Sequence, residues 1–320
     1  MKLASLSDLR PGEAVWSTFS VDAGVEQPLQ LDIFLARGKQ LSPLAFFTAG
    51  VHGDEYEGPD AVAALSRVLP WEDLNGSVIA IPVVNPMAFA AAQRLTPVDG
   101  KNLARSFPGR PGGSPTERLA HAVFEAFVQP ATHLVDLHSG GVEYRFAPVA
   151  GYYGPTNGGN LSYLSARRFG LDHLWRLPET GGVLSCEAWK AGKVAIGCEY
   201  LGAGQLSEEG SAAYVRGMLS CLAHWDILRG RYPLPESGDA FENDWQLAEG
   251  DGIFHARREI GATVREGDIV AVTTDLRGKP VQQFVARADG VVLGLRSKAR
   301  LRKGDWGVLV GTTCCREDHD

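Results

Sequence analysis

The sequence has no run of basic residues and no apolar stretch long enough to cross a membrane. Its 31 Lys and Arg residues are outnumbered by 38 Asp and Glu residues, which gives a net charge of −7. Proteins that bind nucleic acids depend on clustered Lys and Arg, so we expect no nucleic-acid partner. A membrane span needs ~20 consecutive apolar residues, so we also expect no membrane association.

Cysteine is scarce, and its arrangement excludes several classes of protein. The five cysteines form no C-x-x-C pair, which argues against a disulfide scaffold, a zinc ribbon and a thioredoxin-like redox site. The first residues also lack the apolar stretch of a signal peptide. We therefore expect a reducing, cytoplasmic environment for this chain, which at 320 residues has room for about two domains.

Alternating strand and helix patterns fill the first two thirds of the sequence. Continuous apolar runs predict strands that are buried on both faces at 44–51, 77–84, 132–137 and 193–198. Helical patterns lie between or after these runs at 56–69, 114–128 and 207–228. This alternation predicts an α/β fold in which helices cover a sheet.

The remaining third has a different character. A polar stretch rich in Pro and Gly at 230–250 is typical of a linker, and short strands with tight turns are predicted from 251 to 313. A faint repeat relates 263–272 to 300–310, which resembles the small barrel-sandwich domain of biotinyl and lipoyl carriers. Such carriers need a lysine at the tip of the central hairpin, and Lys279 lies away from that place. We therefore predict a structural lid at 231–320 beside a catalytic domain at 1–230.

Two histidine motifs follow predicted strands. His52 and Glu55 come just after the first apolar run, and His138 ends a later one, two residues after Asp136. The carboxyl ends of parallel strands share one edge of an α/β sheet, so these side chains should meet there. Two His and one carboxylate form a catalytic zinc set with a fourth position open for water, and Asp136 would orient His138. Taken singly, each motif also fits an ordinary strand-end turn.

Two further segments should lie at the same edge. Arg94 and Arg105 follow the second apolar run, and their planar guanidinium groups suit carboxylates and charge that develops on oxygen. Glu199 ends the last run and could act as a general base. A surface loop with solvated arginines and a solvated strand-end acid are the alternatives. The tryptophans are interpreted as packing residues, namely Trp175, Trp189, Trp225 and Trp245. Tyr152 and Tyr153 are expected to line the substrate entrance.

The combined motifs resemble one known family. The segments GVHGDEYEGP, NP…R…DGKNLARSFPG, DLHSGG and CEYLG are similar to those of the succinylglutamate desuccinylase/aspartoacylase family, nearest its N-acetyl-diaminobutyrate deacetylase branch. The resemblance covers about residues 40–210. It implies a zinc-carboxypeptidase-like fold, which is α/β with a mixed, mostly parallel sheet flanked by helices, followed here by a small C-terminal β barrel-sandwich domain.

The resemblance also implies a role for each candidate residue. One zinc ion would be held by His52, Glu55 and His138. The catalytic residues would be Glu199, which activates the water, and Arg94, which stabilises the oxyanion. The substrate carboxylate would be held by Arg105, helped by Asn102.

One departure from the family pattern affects the substrate. The family usually has Asn-Leu-Asn-Arg, whereas this sequence has Ala104 in place of the second Asn. The ordinary carboxylate clamp is therefore incomplete. We expect zinc-dependent hydrolysis of the amide bond of a small N-acylated amino acid or similar amine, with a small-molecule partner and with homo-oligomerisation left open. A zinc carboxypeptidase acting on peptides and a metal-free binding protein on the same fold are the alternatives.

Overall fold

The computed structural model describes residues 5–230, 232 and 238–313. Residue 231, at which the second predicted domain begins, lies outside these residues, and the division there stays a prediction. None of the helices in the described ranges has the length and apolar character needed to cross a bilayer.

The described chain mixes strands and helices up to α6 and continues with strands after it. The strands are β1 (Glu13–Val21), β2 (Leu29–Arg37), β3 (Leu44–Thr48), β4 (Ser77–Ile81), β5 (His133–His138), β6 (Tyr144–Tyr152), β7 (His173–Arg176), β8 (Val194–Gly202), β9 (Ala240–Leu247), β10 (Gly252–Ala256), β11 (Thr263–Val264), β12 (Ile269–Thr274), β13 (Pro280–Val285), β14 (Gly290–Arg296), β15 (Arg300–Leu301) and β16 (Trp306–Thr313). The helices are α1 (Glu57–Val68), α2 (Pro86–Ala90), α3 (Pro115–Val123), α4 (Leu161–Phe169), α5 (Leu184–Lys190) and α6 (Glu208–His224). A π-helical turn, Phe124–Val128, extends α3.

The predicted α/β class is confirmed, and the four apolar runs are β3, β4, β5 and β8. They pair in parallel as β4-β3-β5-β8, which aligns their carboxyl ends along one edge. Helices cover both faces of this centre: α1, α4 and α6 share one apolar core with Phe47, and α3 and α5 share another with Phe46. Adjacent strand residues point to opposite faces, which explains why these two phenylalanines lie in different cores.

The sheet is mixed, as predicted, but parallel pairing does not predominate in it. It contains twelve strands in the order β1-β2-β4-β3-β5-β8-β6-β7-β9-β16-β14-β11. Parallel pairing is confined to the centre and to β6-β7-β9, and the other neighbours are antiparallel. The reason is connectivity: β1 and β2, for example, are joined by a short segment that permits only antiparallel neighbours.

The C-terminal strands join the same sheet. Because β14 pairs with β6 as well as with β16, the strands β6, β7, β9, β16 and β14 close into a ring of five. A second sheet, β13-β12-β10-β15, packs against it around its own apolar core. The β-rich character predicted for this region is therefore confirmed, and two of its strands, β9 and β14, pair directly with β7 and β6.

Candidate metal centre and substrate cavity

The predicted metal ligands and Glu199 lie at or near the carboxyl ends of the central strands. After β3 the chain turns at Gly50, whose φ of +61° and distance of 2.8 Å from a built Cβ to Val83 Cα leave no room for a larger residue. This turn brings His52 and Glu55 back over the sheet edge. His138 ends β5 and pairs in parallel register with Glu199 of β8, so their side chains project to the same face.

Three of these side chains converge on one point. His52 Nδ1 lies 2.7 Å from Glu55 Oε1, and His138 Nδ1 lies 2.9 Å from Glu55 Oε2. One ligand atom from each residue lies within 4.8 Å of the others, and all three side chains are largely buried. Imidazole nitrogens and a carboxylate are ligands that zinc accepts, and three protein ligands leave one position open. The residues therefore fit a catalytic zinc ion.

The outer nitrogen of each histidine has a partner of its own. His138 Nε2 lies 3.1 Å from Asp136 Oδ2, and the other oxygen of Asp136 accepts a hydrogen bond from Thr48. His52 Nε2 lies 3.1 Å from Asn102 Oδ1, which also accepts the backbone N–H of Ala104. Such contacts leave the two Nδ1 atoms facing Glu55, as metal ligation requires. The predicted orienting contact of Asp136 is present.

Glu199 has the environment expected of a proton carrier. Its Oε2 is buried and has no hydrogen-bond partner among the described residues. Burial raises the pKa of this carboxyl well above its usual value, and the nearby Glu55 carboxylate raises it further. A carboxyl group whose neutral form is favoured can take up a proton during a reaction and later donate it.

Two guanidinium groups border the same space. Arg94 Nη1 donates to Glu55 Oε1 at 3.2 Å and lies 3.3 Å from His52 Nδ1. Arg105 ends the short turn Leu103–Arg105 and donates to the carbonyl oxygen of Ala104 at 2.7 Å. Burial lowers the pKa of Arg105, and the charge of Arg94 lowers it further. Within the described residues no carboxylate forms an ion pair with Arg105.

A cavity of about 540 Å³ opens above these groups. Its lining includes His52, His138, Glu199, Arg94 and Arg105, together with Ala104 and Tyr153. The expectation for Tyr152 was wrong: this residue is buried in the apolar core that contains Phe47 and does not line the cavity. Glu55 lies between the two histidines. The structure places Asn102 beside His52, outside the set of residues that line the cavity.

Sequence reasoning missed much of the cavity wall. Besides Tyr153, five aromatic residues border it, namely Tyr144, Phe146, Trp175, Trp245 and Trp306. The interpretation of Trp175 and Trp245 as packing residues is incomplete, because both also face the cavity. The sequence could not show that these two residues share one cavity, because they are far apart along the chain. Only the closing of the five-strand ring brings them together.

The chain resembles characterised proteins along most of its length. A family model described as the succinylglutamate desuccinylase/aspartoacylase catalytic domain matches residues 42–225. The N-alpha-acetyl-L-2,4-diaminobutyric acid deacetylase of Halomonas elongata is 30% identical over 274 residues, which are 82% of this chain and 80% of that protein.

Solved structures are also similar to this chain. The product-bound ectoine utilization protein EutE (DoeB) from Ruegeria pomeroyi has a TM-score of 0.85 and 29% identity, over 95% of this chain and 96% of its own. A succinylglutamate desuccinylase/aspartoacylase from Rhodobacter sphaeroides has a TM-score of 0.82 and 27% identity, over 95% and 97% of the two chains. The likeness therefore includes the strands that follow residue 238 as well as the matched central region.

Proposed function

The chain belongs to the succinylglutamate desuccinylase/aspartoacylase family, and from this premise we propose that it hydrolyses the amide bond of small N-acylated amino acids with the help of one zinc ion. The products are a short carboxylic acid and an amino acid. The family match, the deacetylase named among its relatives and the cavity beside His52, Glu55 and His138 support this activity.

The metal ligands in this proposal are His52 Nδ1, one oxygen of Glu55 and His138 Nδ1. Zinc bound by such a set supplies polarisation of a carbonyl group and a lowered pKa for water. Asp136 and Asn102 hold the outer nitrogens of the histidines and so fix both rings in the orientation that ligation needs.

Glu199 moves the proton. Its buried, unpartnered oxygen accepts a proton from the attacking water and passes it to the leaving nitrogen, first as a general base and then as a general acid. The raised pKa of this carboxyl fits the second step, in which the protonated form must be accessible.

The two arginines bind the negatively charged groups of the substrate and of the reaction. Arg94, next to the metal ligands, donates to the oxygen on which charge develops as the carbonyl is attacked. Arg105, which has no carboxylate partner among the described residues, binds the carboxylate of the substrate. The contact predicted between Asn102 and the substrate stays a prediction, whereas its contact with His52 gives it a positioning role.

The C-terminal region acts as a lid in this proposal. Trp245 and Trp306 come from β9 and β16 and close one side of the cavity. A cavity of about 540 Å³ suits a small acylated amino acid. It favours a deacylase over a carboxypeptidase that must admit a peptide chain.

The unpartnered oxygen of Glu199 next to the His–Glu–His set is the observation that carries this function. In zinc-loaded protein, Glu199→Gln should keep its zinc and lose at least about 100-fold in kcat for release of acetate from N-acetyl amino acids. The matched control is Glu208→Gln, an exposed acid at the start of α6, which should keep full activity. Full turnover by the Glu199 variant with zinc bound would remove the assignment. A chain that binds no zinc would instead support the metal-free binding protein.

A further inference from the structure

The cavity wall opposite the metal ligands indicates the kind of substrate. Building on the proposed deacylase function, we propose that this chain selects N-acyl amino acids that carry an aromatic group. The cluster of Tyr144, Phe146, Trp175, Trp245 and Trp306, here called the aromatic wall, would bind that group.

The rings of the aromatic wall support one another. Trp245 has its ring centroid 4.4 Å from that of Trp306 and 6.0 Å from that of Phe146. Phe146 lies 6.0 Å from Trp175, edge to face, and Tyr144 lies 5.9 Å from Trp306. Each ring is thus held by at least one other before any ligand arrives. Aromatic pairs at these separations and angles are favourable, so a further ring would find a preformed partner surface.

The strands that carry the wall make it rigid. Tyr144 and Phe146 are on β6, Trp175 on β7, Trp245 on β9 and Trp306 on β16, all members of the closed five-strand ring. Sites built on strands keep their geometry better than sites built on loops. Trp245 and Trp306 are only partly buried, so part of their apolar surface is left for an incoming group to cover.

Charge in the cavity disfavours a cationic substrate side chain. Among the described residues that line it, Arg94 and Arg105 are cationic, and Glu199 is the sole carboxylate. Glu199 stands at the metal ligands. The acids near Tyr144, namely Glu143 and Asp305, lie outside the cavity lining and face Arg296. An aromatic surface also attracts cations, but two guanidinium groups in the same cavity oppose a third positive charge. A neutral ring therefore fits better than the second amine of a diaminobutyrate.

Ala104 extends the apolar character towards Arg105. It lines the cavity at the position where the family motif usually has an amide side chain. A methyl group there offers no hydrogen bond to a polar substrate. Arg105 thus holds the carboxylate beside an apolar rather than a polar neighbour.

The aromatic group could belong to the amino acid or to the acyl part, and substrates can separate the two. We expect zinc-loaded protein to hydrolyse N-acetyl-L-phenylalanine or benzoylglycine with a kcat/KM at least about tenfold above that for N-acetyl-L-alanine. The first substrate carries the ring on the amino acid and the second on the acyl group. N-α-acetyl-L-2,4-diaminobutyrate should be no better than N-acetyl-L-alanine. If it equals or exceeds both aromatic substrates, the inference is overturned while the deacylase function stands.

Variants test the wall itself. Trp245→Leu and Trp306→Leu should each lower the ratio of kcat/KM for the preferred aromatic substrate to that for N-acetyl-L-alanine by at least about fivefold. Trp16→Leu is the matched control, because Trp16 lies on β1, at the far edge of the sheet, and should leave the ratio unchanged. An unchanged ratio in both wall variants would overturn the assignment of the wall.

Binding without turnover separates this inference from the deacylase function. Calorimetry on zinc-loaded Glu199→Gln should show tighter binding of N-acetyl-L-phenylalanine or benzoylglycine than of N-acetyl-L-alanine. This result would support the aromatic site even if the unaltered protein hydrolysed none of the three, an outcome that would remove the deacylase function. Equal or weaker binding of both aromatic compounds would overturn the site.

Discussion

Asn102 Oδ1 lies 3.1 Å from His52 Nε2 and 2.9 Å from the backbone nitrogen of Ala104. One amide oxygen thus fixes both the ring of a candidate metal ligand and the turn that carries Arg105. The candidate metal site and the proposed carboxylate site are therefore linked through a side chain that itself lies outside the cavity lining.

Replacing Asn102 should weaken metal binding. Asn102→Ala removes the acceptor for His52 Nε2, and loss of such an outer contact typically costs 10–100-fold in metal affinity. Zinc affinity can be measured by competition with a chromophoric chelator. Asn102→Asp is the matched variant, because it keeps an oxygen for both contacts and should retain most of the affinity. Equal affinities for the Ala variant and the unaltered protein would contradict the positioning role.

Removal of metal should abolish activity and lower thermal stability. A ligand that binds only the folded state at a thousandfold excess over its Kd stabilises by about 4 kcal/mol. Dialysis against a chelator should therefore lower the melting temperature, and added zinc should restore both temperature and activity. Glu55→Gln replaces the carboxylate shared by His52 and His138, so its melting temperature should respond little to zinc. A zinc response as large as that of the unaltered protein would exclude Glu55 as a ligand.

Gly53 should tolerate no side chain. It lies between His52 and Glu55, and a Cβ built there would lie 2.0 Å from the backbone of Ala88. Gly53→Ala must therefore displace the loop that carries two candidate ligands, and we expect at least a tenfold loss of kcat/KM together with weaker zinc binding. Gly112→Ala is the control, because a Cβ there meets nothing within 4 Å. Full activity of the Gly53 variant would show that the loop relaxes without cost.

His133 should make stability depend on pH. It begins β5, stacks on Trp225 at 4.5 Å, and burial lowers its pKa from 6.5 to about 4, with the charge of His224 acting in the same direction. Below pH 6.5 His133 becomes protonated in the unfolded chain, whereas in the folded chain it stays neutral until the pH approaches 4. The free energy of unfolding should therefore fall from pH 6.5 towards pH 4 by up to about 3 kcal/mol from this group.

A non-titrating ring at the same position isolates that contribution. Denaturant unfolding of His133→Phe, which keeps a ring against Trp225, should show a shallower loss of stability between pH 6.5 and 4 than the unaltered protein. Above pH 7 the difference in stability between the two proteins should not change with pH. Parallel curves over the whole range would mean that His133 does not carry the effect.

The parts of the site that sequence could predict share one property. The ends of β3, β5 and β8 are visible because their apolar runs are continuous, and His52, His138 and Glu199 follow or end those runs. The hairpin of β1 and β2 was not predicted, because β1 alternates between half-buried and exposed residues and the apolar residues of β2 are interrupted by Gln30 and Asp32. Continuous apolar runs therefore identify the buried central strands of a sheet but not its edge strands.

The aromatic wall could not be predicted for a different reason. Trp175 and Trp306 lie on strands far apart in the chain, and no local spacing relates them. Their approach depends on pairings such as β6 with β14 and β9 with β16. Long-range strand order is information that periodicity and motif spacing do not contain.

The five-strand ring has a consequence for how specificity can change. Because β6 pairs with β8 on one side and with β14 on the other, the strand that carries Glu199 and the C-terminal strands β14, β16 and β9 belong to one continuous hydrogen-bonded network. The C-terminal region is therefore no exchangeable module, since grafting a foreign one would break the ring and disturb the strand beside Glu199. New substrate preferences in this scaffold would have to arise through single side-chain replacements on an intact frame.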